Sequence, residues 1–278
     1  AGTLPLYKNK YEVVVIGGAR AGMSCAMRLA SEGKSVLILE RHNLPGGIAT
    51  SFVRGGVEIE ATLHEMMSIG PADDPLFIRE YLDEMGVRID WLRVPEAYRR
   101  ISPKDHIDIT LHAGRRTDGT WVAADEIDAA WPGTKDEVNK LLELCKSVYE
   151  SVIYLNEHTI SKLETMRNHE PLAKTAGYSA TEVISKVVDL PDAVVKALSA
   201  YWIYVGQPLS TLPFTIYAFL MADYFTGSYV CRGFSHEMSM KLQAKCEENG
   251  AQYEFNQEVE KILVKDGKVY GVRTRRGD

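Results

Sequence analysis

Tyr11-Glu12-Val13-Val14-Val15-Ile16-Gly17-Gly18-Ala19-Arg20-Ala21-Gly22 is the stretch on which the fold turns. Its β-branched run reads as a buried parallel strand that stops abruptly at Gly17-Gly18, as a tight turn requires. From Arg20 to Glu32 the small and apolar residues Ala21, Cys25, Ala26, Leu29 and Ala30 recur at helical spacing, and Gly33 stands where a C-terminal cap belongs. Ser35-Val36-Leu37-Ile38-Leu39 is a second buried strand, closed by Glu40. Strand, glycine turn, helix and strand together have the length of one βαβ unit. The expected fold class is therefore α/β, with a Rossmann-like domain on a parallel sheet.

The turn has the position of a dinucleotide fingerprint. In G-x-G-x-x-G the first glycine makes the turn, the second lets a pyrophosphate approach the backbone, and the third lets helix and strand pack closely. The free N–H groups and dipole of the helix N-terminus then favour the anion. Gly17 and Gly22 match, with Gly18 beside them, but the second position is Ala19, a methyl at the point of closest approach. The bland alternative is a glycine-rich turn that binds nothing. Glu40 follows Gly22 at the end of the second strand, where an acid accepts hydrogen bonds from a ribose and disfavours a 2′-phosphate. Alone it would read as an ordinary strand-end glutamate; coupled to the turn it reads as the ribose acid.

Outward from this unit, 278 residues allow two domains or one large α/β domain. Hydrophobic residues at 45% and charged residues at 25% are ordinary for a globular chain, which excludes disorder, collagen and coiled coil as whole-chain readings. Lys+Arg 32 against Asp+Glu 38 leaves a net charge of −6 and no basic excess for phosphates, which argues against a nucleic-acid role. Cys25, Cys145, Cys231 and Cys246 have neither CxxC nor metal spacing, so no metal is expected and free thiols in a reducing, cytoplasmic compartment are. The N-terminal ten residues hold Lys8 and Lys10 without the apolar core of a signal peptide. Ala197 to Ala222 carries no charge, but Gly206, Pro208 and Pro213 break it, so a buried wall or a peripheral membrane contact is expected rather than a spanning helix.

The middle of the chain is helical. Thr134-Lys-Asp-Glu137 has the form of a capping box, followed by Val138, Leu141, Leu142, Cys145, Val148, Tyr149, Val152 and Leu155 at helical steps. Shorter helices are expected near Thr181–Val188 and Pro191–Ser199, and Ile107–Leu111 suits a small sheet. After Gly233, Phe234 to Glu248 reads as a helix ended by Asn249-Gly250, then Gln252–Phe255 as a strand. Glu258–Val264 and Lys268–Thr274 flank Lys265-Asp266-Gly267, a hairpin signal. The expected organisation is a dinucleotide-binding domain in two parts, 8–80 and 229–278, interrupted by a largely helical insert, 81–228.

The run from Val13 to Gly22, then Glu40-Arg41 and Pro45-Gly46-Gly47-Ile-Ala-Thr50, resembles the start of the phytoene desaturase and carotenoid isomerase-like flavoproteins, relatives of the amine oxidases. The likeness continues through Gly55-Gly56-Val-Glu-Ile-Glu60, Leu63-His64 and Asp74-Pro75-Leu76. It returns at Tyr204-Val-Gly206-Gln-Pro208, Arg232-Gly233 and Val259-Glu-Lys-Ile262, so it spans nearly the whole chain.

The resemblance implies bound FAD in an extended pose. Gly17, Gly18, Gly22 and Gly47, the last paired with Gly46, would face the diphosphate. Glu40 would face the adenosine ribose, Arg41 the adenosine end, and the Val259 backbone the adenine. The isoalloxazine would lie towards Thr62–His64 and Gly233. It further implies a long apolar polyene or lipid-like substrate, with Trp202, Tyr204, Phe214, Tyr217 and Phe219 as wall residues of a tunnel, against core packing as the plainer reading of each. Family members run to roughly 500 residues, so this chain is expected to be the N-terminal part of a longer or two-chain protein, or to form an oligomer.

Three positions depart from the family pattern by added bulk: Ala19, Thr62 for a small residue before Leu63-His64, and Phe234 in Cys231-Arg232-Gly233-Phe234, where the family has Pro-x-Gly-Gly. His64 is carried as a candidate proton-transfer residue beside its reading as a structural histidine. No H-E-x-x-H, G-x-S-x-G or P-loop pattern is present. The first expectation is thus an FAD-dependent oxidoreductase that desaturates, saturates or isomerises an apolar substrate by hydride exchange with flavin N5. The alternatives are a non-catalytic flavin-fold subunit that binds a lipid or a partner chain, and an NAD-dependent dehydrogenase, which Gly46-Gly47 disfavours.

Overall fold

Four apolar residues between a polar start and a glycine are enough to make the first strand. The computed structural model describes residues 10–276; Lys8, the expected domain start at 8, and the closing Gly277-Asp278 lie outside the described residues. The chain divides into two units, 1–92 with 230–278, and 93–229. In the first, β1 (Val13–Ile16), α1 (Arg20–Ser31) and β2 (Val36–Leu39) form the expected strand–helix–strand. A hairpin of β3 (Ser51–Arg54) and β4 (Val57–Glu60) follows, then α2 (Phe77–Glu84) and β5 (Trp91–Arg93), where the chain leaves the unit.

The second unit holds β6 (Glu96–Ser102), β7 (Ile107–His112), α3 (Val122–Ala130), α4 (Lys135–Glu157), α5 (Lys162–Asn168) and α6 (Glu170–Thr175). It continues with α7 (Ala180–Val187), α8 (Asp192–Ala197) and α9 (Phe214–Gly227). The chain returns through β8 (Tyr229–Cys231) to α10 (Phe234–Glu248), β9 (Gln252–Glu254), β10 (Val259–Lys265) and β11 (Lys268–Thr274).

In the first unit β1, β2 and β9 form one parallel sheet in that order, with Val13 opposite Val36 and Leu37 opposite Gln252. Strands this short are held by what covers them. Met23, Ala26, Met27 and Ala30 of α1 bury against Met238, Leu242 and Cys246 of α10 and against Val36, Ile38 and Tyr253 of the sheet. This corrects the expected stripe: Ala21 and Cys25 are exposed, because the core-facing row at steps of three and four begins at Met23. The hairpin of β10 and β11 closes through Asp266 and Gly267, both at positive φ (50° and 74°), as the tight turn demands.

The second unit is built on α4 and α9. Val138, Leu141, Leu142, Cys145 and Val148 form the buried face of α4. Helix α9 is buried nearly all round, which accounts for the lack of charge over its part of the uncharged stretch, Phe214 to Ala222. Phe214 and Tyr217 are core residues, whereas Trp202 and Tyr204 are 39% and 45% exposed. Among the described residues no helix is long and apolar enough to cross a membrane.

The start of α4 is a second correction. Thr134 makes no capping bond; its hydroxyl donates to the Trp131 carbonyl. Asp128, at the end of α3, takes its place, its Oδ1 accepting the N–H groups of Gly133, Thr134 and Lys135 at 2.8–3.1 Å. Glu137 is turned elsewhere and accepts the Asp189 N–H. A reciprocal capping box is present instead at α7, between Ser179 and Glu182.

Candidate dinucleotide and ring site

The glycine turn is held from both sides. Gly17, at φ +99°, donates its N–H to the Leu39 carbonyl (2.9 Å), tying the end of β1 to β2. A Cβ on Gly22 would collide with the Gly17 carbonyl oxygen, so α1 crosses its turn only because residue 22 has no side chain. A Cβ on Gly18 would collide with the Tyr253 hydroxyl, which donates to the Gly18 carbonyl at 3.0 Å. The same carbonyl accepts the Gly46 N–H at 2.9 Å, laying the second glycine turn against the first. Gly46, at φ +102°, is closed in by the Ser239 hydroxyl and the Ala49 carbonyl.

Ala19 is the N-cap of α1 in an extended conformation (φ −77°, ψ 174°), so its backbone does not need glycine. Its methyl faces Gly47, where a Cβ would come within 3.0 Å of it. The first intrahelical bond runs from the Met23 N–H to the Ala19 carbonyl, which leaves the N–H groups of Arg20, Ala21 and Gly22 ahead of the helical ladder. Beside Gly17 a Cβ would meet nothing within 4 Å, so the approach to these donors is open. Helix dipole, unspent N–H groups and open space together suit a diphosphate.

Glu40 is buried, with one carboxylate oxygen accepting the Gly18 N–H and the other the His42 N–H, both at 2.7 Å. It therefore fixes the turn it follows. Gly17, Gly18, Ala19, Gly22, Glu40, Gly46 and Gly47 are thus brought together. Arg41 is exposed at the strand end, and Val259 is half-buried at the start of β10, opposite Thr274.

A pocket of about 320 Å³ lies wholly within the first unit, lined by Arg20, Glu60, His64, Cys231, Arg232, Phe234 and Ser235 with apolar Leu63, Met66, Leu92, Val230 and Met238. His64 and Phe234 stand in its wall. Thr62 is turned away and donates its hydroxyl to the Ile48 carbonyl at 2.8 Å. Gly233 is the N-cap of α10, with no room for a Cβ beside the Glu237 carboxylate. Phe234 adopts φ +60°, the left-handed conformation a glycine would take without strain. Glu60 accepts the Ser235 N–H through Oε2 at 2.8 Å, while its Oε1 is buried without a partner. Arg20 Nε and Nη2 are likewise buried and unpartnered, and Nη1 reaches only Met66 Sδ at 3.7 Å. Burial brings the Arg20 pKa down to about 10, with Glu60 acting against the fall. Burial also raises the Cys231 thiol above its usual range.

Arg20 and Glu60 line the pocket and Tyr253 packs on the glycine turn, three placements in the candidate site that sequence reasoning missed. Arg20 had a visible signal: a cation at the first position of a helix stands against the dipole. Tyr253 had none beyond its place in a short strand. Among the described residues no cluster of His, Cys, Asp and Glu could hold a metal.

Residues 15–84 match the NAD(P)-binding Rossmann-like domain family. The chain is similar to all-trans-retinol 13,14-reductase of Rattus norvegicus, 23% identical over 97% of this chain and 45% of that protein. It is also similar to prolycopene isomerase 2, chloroplastic, of an Oncidium hybrid cultivar, 22% identical over 97% and 46%. The chain thus spans about half the length of the curated relatives it matches. Among solved structures it resembles an oxidoreductase from Methanosarcina mazei, with a TM-score of 0.60, 18% identity, and 95% of this chain and 55% of that one covered. The two relatives are by name a reductase and an isomerase, and the fold is the expected α/β one with a Rossmann-like domain.

Proposed function

We propose that this chain is the FAD-binding part of a flavin-dependent oxidoreductase that acts on an apolar, polyene or lipid-like substrate by desaturation, saturation or isomerisation. The observation that carries the proposal is the pair of glycine turns joined by the Gly46 N–H and the Gly18 carbonyl. They run beside the open N-terminus of α1 and lead to a largely apolar pocket. A single fingerprint turn serves NAD and FAD alike; the second glycine turn seated on the first lengthens the backbone cradle beside the diphosphate, which favours the FAD reading.

In this reading the N–H groups of Arg20, Ala21 and Gly22 hold the diphosphate, with Gly17, Gly18 and Gly47 as its neighbours. Glu40, which already locks the turn, takes the ribose with its remaining acceptor capacity, and Arg41 and Val259 flank the adenosine end. The pocket between His64 and Phe234 takes the ring and keeps water from it. When bound, the flavin supplies the two-electron redox chemistry, and the protein supplies position and an apolar surround. The retinol and prolycopene named for the relatives motivate the apolar substrate class.

The test is the visible spectrum of the purified protein before and after added FAD and gel filtration. A retained flavin band is expected; a colourless protein that takes up no FAD refutes the proposal.

A further inference from the structure

A flavin fold accounts for the glycine turns but not for two charges in the ring pocket. Arg20 and Glu60 both line it, and each keeps buried polar atoms without a partner: Nε and Nη2 of the one, Oε1 of the other. No ion pair joins them, although they are near enough to influence one another electrostatically. Arg232, on the same wall, is spent on Asp90 at 2.5 Å. Buried charged groups left unpaired are strongly unfavourable, so a pocket that keeps both is shaped for something that satisfies both. Both are also held in place. Glu60 is anchored through its other oxygen by the Ser235 N–H, and Arg20 starts α1 with Nη1 against Met66.

Donors on one residue and an acceptor on the other complement a planar edge that presents a carbonyl beside an N–H. We infer that Arg20 and Glu60 together read such an imide edge. Resting on the FAD reading above, this edge is the pyrimidine end of the isoalloxazine. A ring carbonyl accepts from Arg20, and the ring N3–H donates to Glu60 Oε1. With a pKa still near 10, Arg20 is a cation at neutral pH and donates charge-assisted bonds. As the first residue of α1 it carries one of the proposed diphosphate donors on its backbone while its side chain lines the pocket.

The test compares binding of FAD, 3-methyl-FAD (which lacks the N3–H) and ADP (which lacks the ring) to the whole chain by fluorescence titration. The wild type is expected to prefer FAD over the methylated analogue by about tenfold or more, the range for a buried bond to a charged group. In Glu60→Gln the side-chain carbonyl keeps the Ser235 N–H and the amide turns donors to the ring. FAD is then expected to bind about tenfold more weakly and the preference to vanish. Arg20→Met should weaken FAD by a similar factor while keeping the preference. ADP should bind all three proteins within about twofold, which reports an intact fold.

Variants that bind FAD like the wild type, or a wild type indifferent to the N3 methyl, overturn the assignment and leave the FAD reading standing. A wild type that binds no FAD overturns both. If a variant loses ADP as well, it has lost its fold, and the wild-type comparison of the two flavins decides.

Discussion

At residue 234 a phenylalanine occupies a backbone conformation suited to glycine, φ +60°, at the start of α10 and in the pocket wall. The left-handed region costs a side-chain-bearing residue about 1–2 kcal/mol, because Cβ crowds the following carbonyl. The two obvious truncations therefore separate ring from backbone. Phe234→Ala removes the ring and keeps the strain; Phe234→Gly removes both. Phe234→Gly is expected to be about 1 kcal/mol more stable than Phe234→Ala in urea denaturation, against the usual preference of a helix start for alanine over an interior glycine. Equal stabilities would mean that the strain is absent. Ala19 is the opposite case, a residue with no backbone need for glycine whose methyl faces Gly47. Ala19→Gly should leave stability unchanged or slightly raised, since glycine is the better N-cap. It should also tighten FAD binding several-fold, read by the same fluorescence titration; unchanged affinity would show that the methyl lies outside the diphosphate path.

At the scale of elements, hydrophobic period and turn chemistry were legible, and reciprocal side-chain contacts were not. The βαβ unit, the buried face of α4, and the hairpin at Asp266-Gly267 all follow from local pattern, because each is decided by residues within a turn or two of one another. The cap of α4 is decided otherwise. Thr134 and Glu137 have the right spacing, yet Asp128, six residues before Thr134, reaches over with a carboxylate and takes three N–H groups. A carboxylate beats a hydroxyl there, since it adds charge favourable to the helix dipole and satisfies more donors. Asp128→Ala is accordingly expected to cost about 2 kcal/mol and Thr134→Val under half as much, measured as shifts in urea midpoint at constant slope. The reverse order would restore the capping-box reading. The same logic explains the α1 stripe: small residues at Ala21 and Cys25 looked periodic, but the methionines two positions away carry the burial.

At the scale of the molecule, the candidate site was legible where it is made of backbone and illegible where it is made of side chains from distant segments. Gly22 and Gly46 mark positions where chain passes chain, Gly17 a positive φ, and Glu40 the end of β2. Arg20, Glu60 and Tyr253 come from three segments that only the folded unit assembles, and no spacing rule links them. That assembly also defines which part of the chain a dinucleotide should stabilise. The turns, Glu40 and the pocket all belong to the unit formed by residues 1–92 and 230–278, while α4 and α9 belong to the other. A ligand that binds only the folded form of one unit at a hundred times its Kd adds about 2.7 kcal/mol to that unit. In hydrogen exchange, saturating FAD is therefore expected to slow the amides of β1, α1, β2 and β9 by up to about a hundredfold where they open with the unit. The amides of α4 and α9 should change little. Equal slowing in both units would mean that they unfold together or share the ligand, and slowing confined to α4 and α9 would move the dinucleotide site out of the glycine turns altogether.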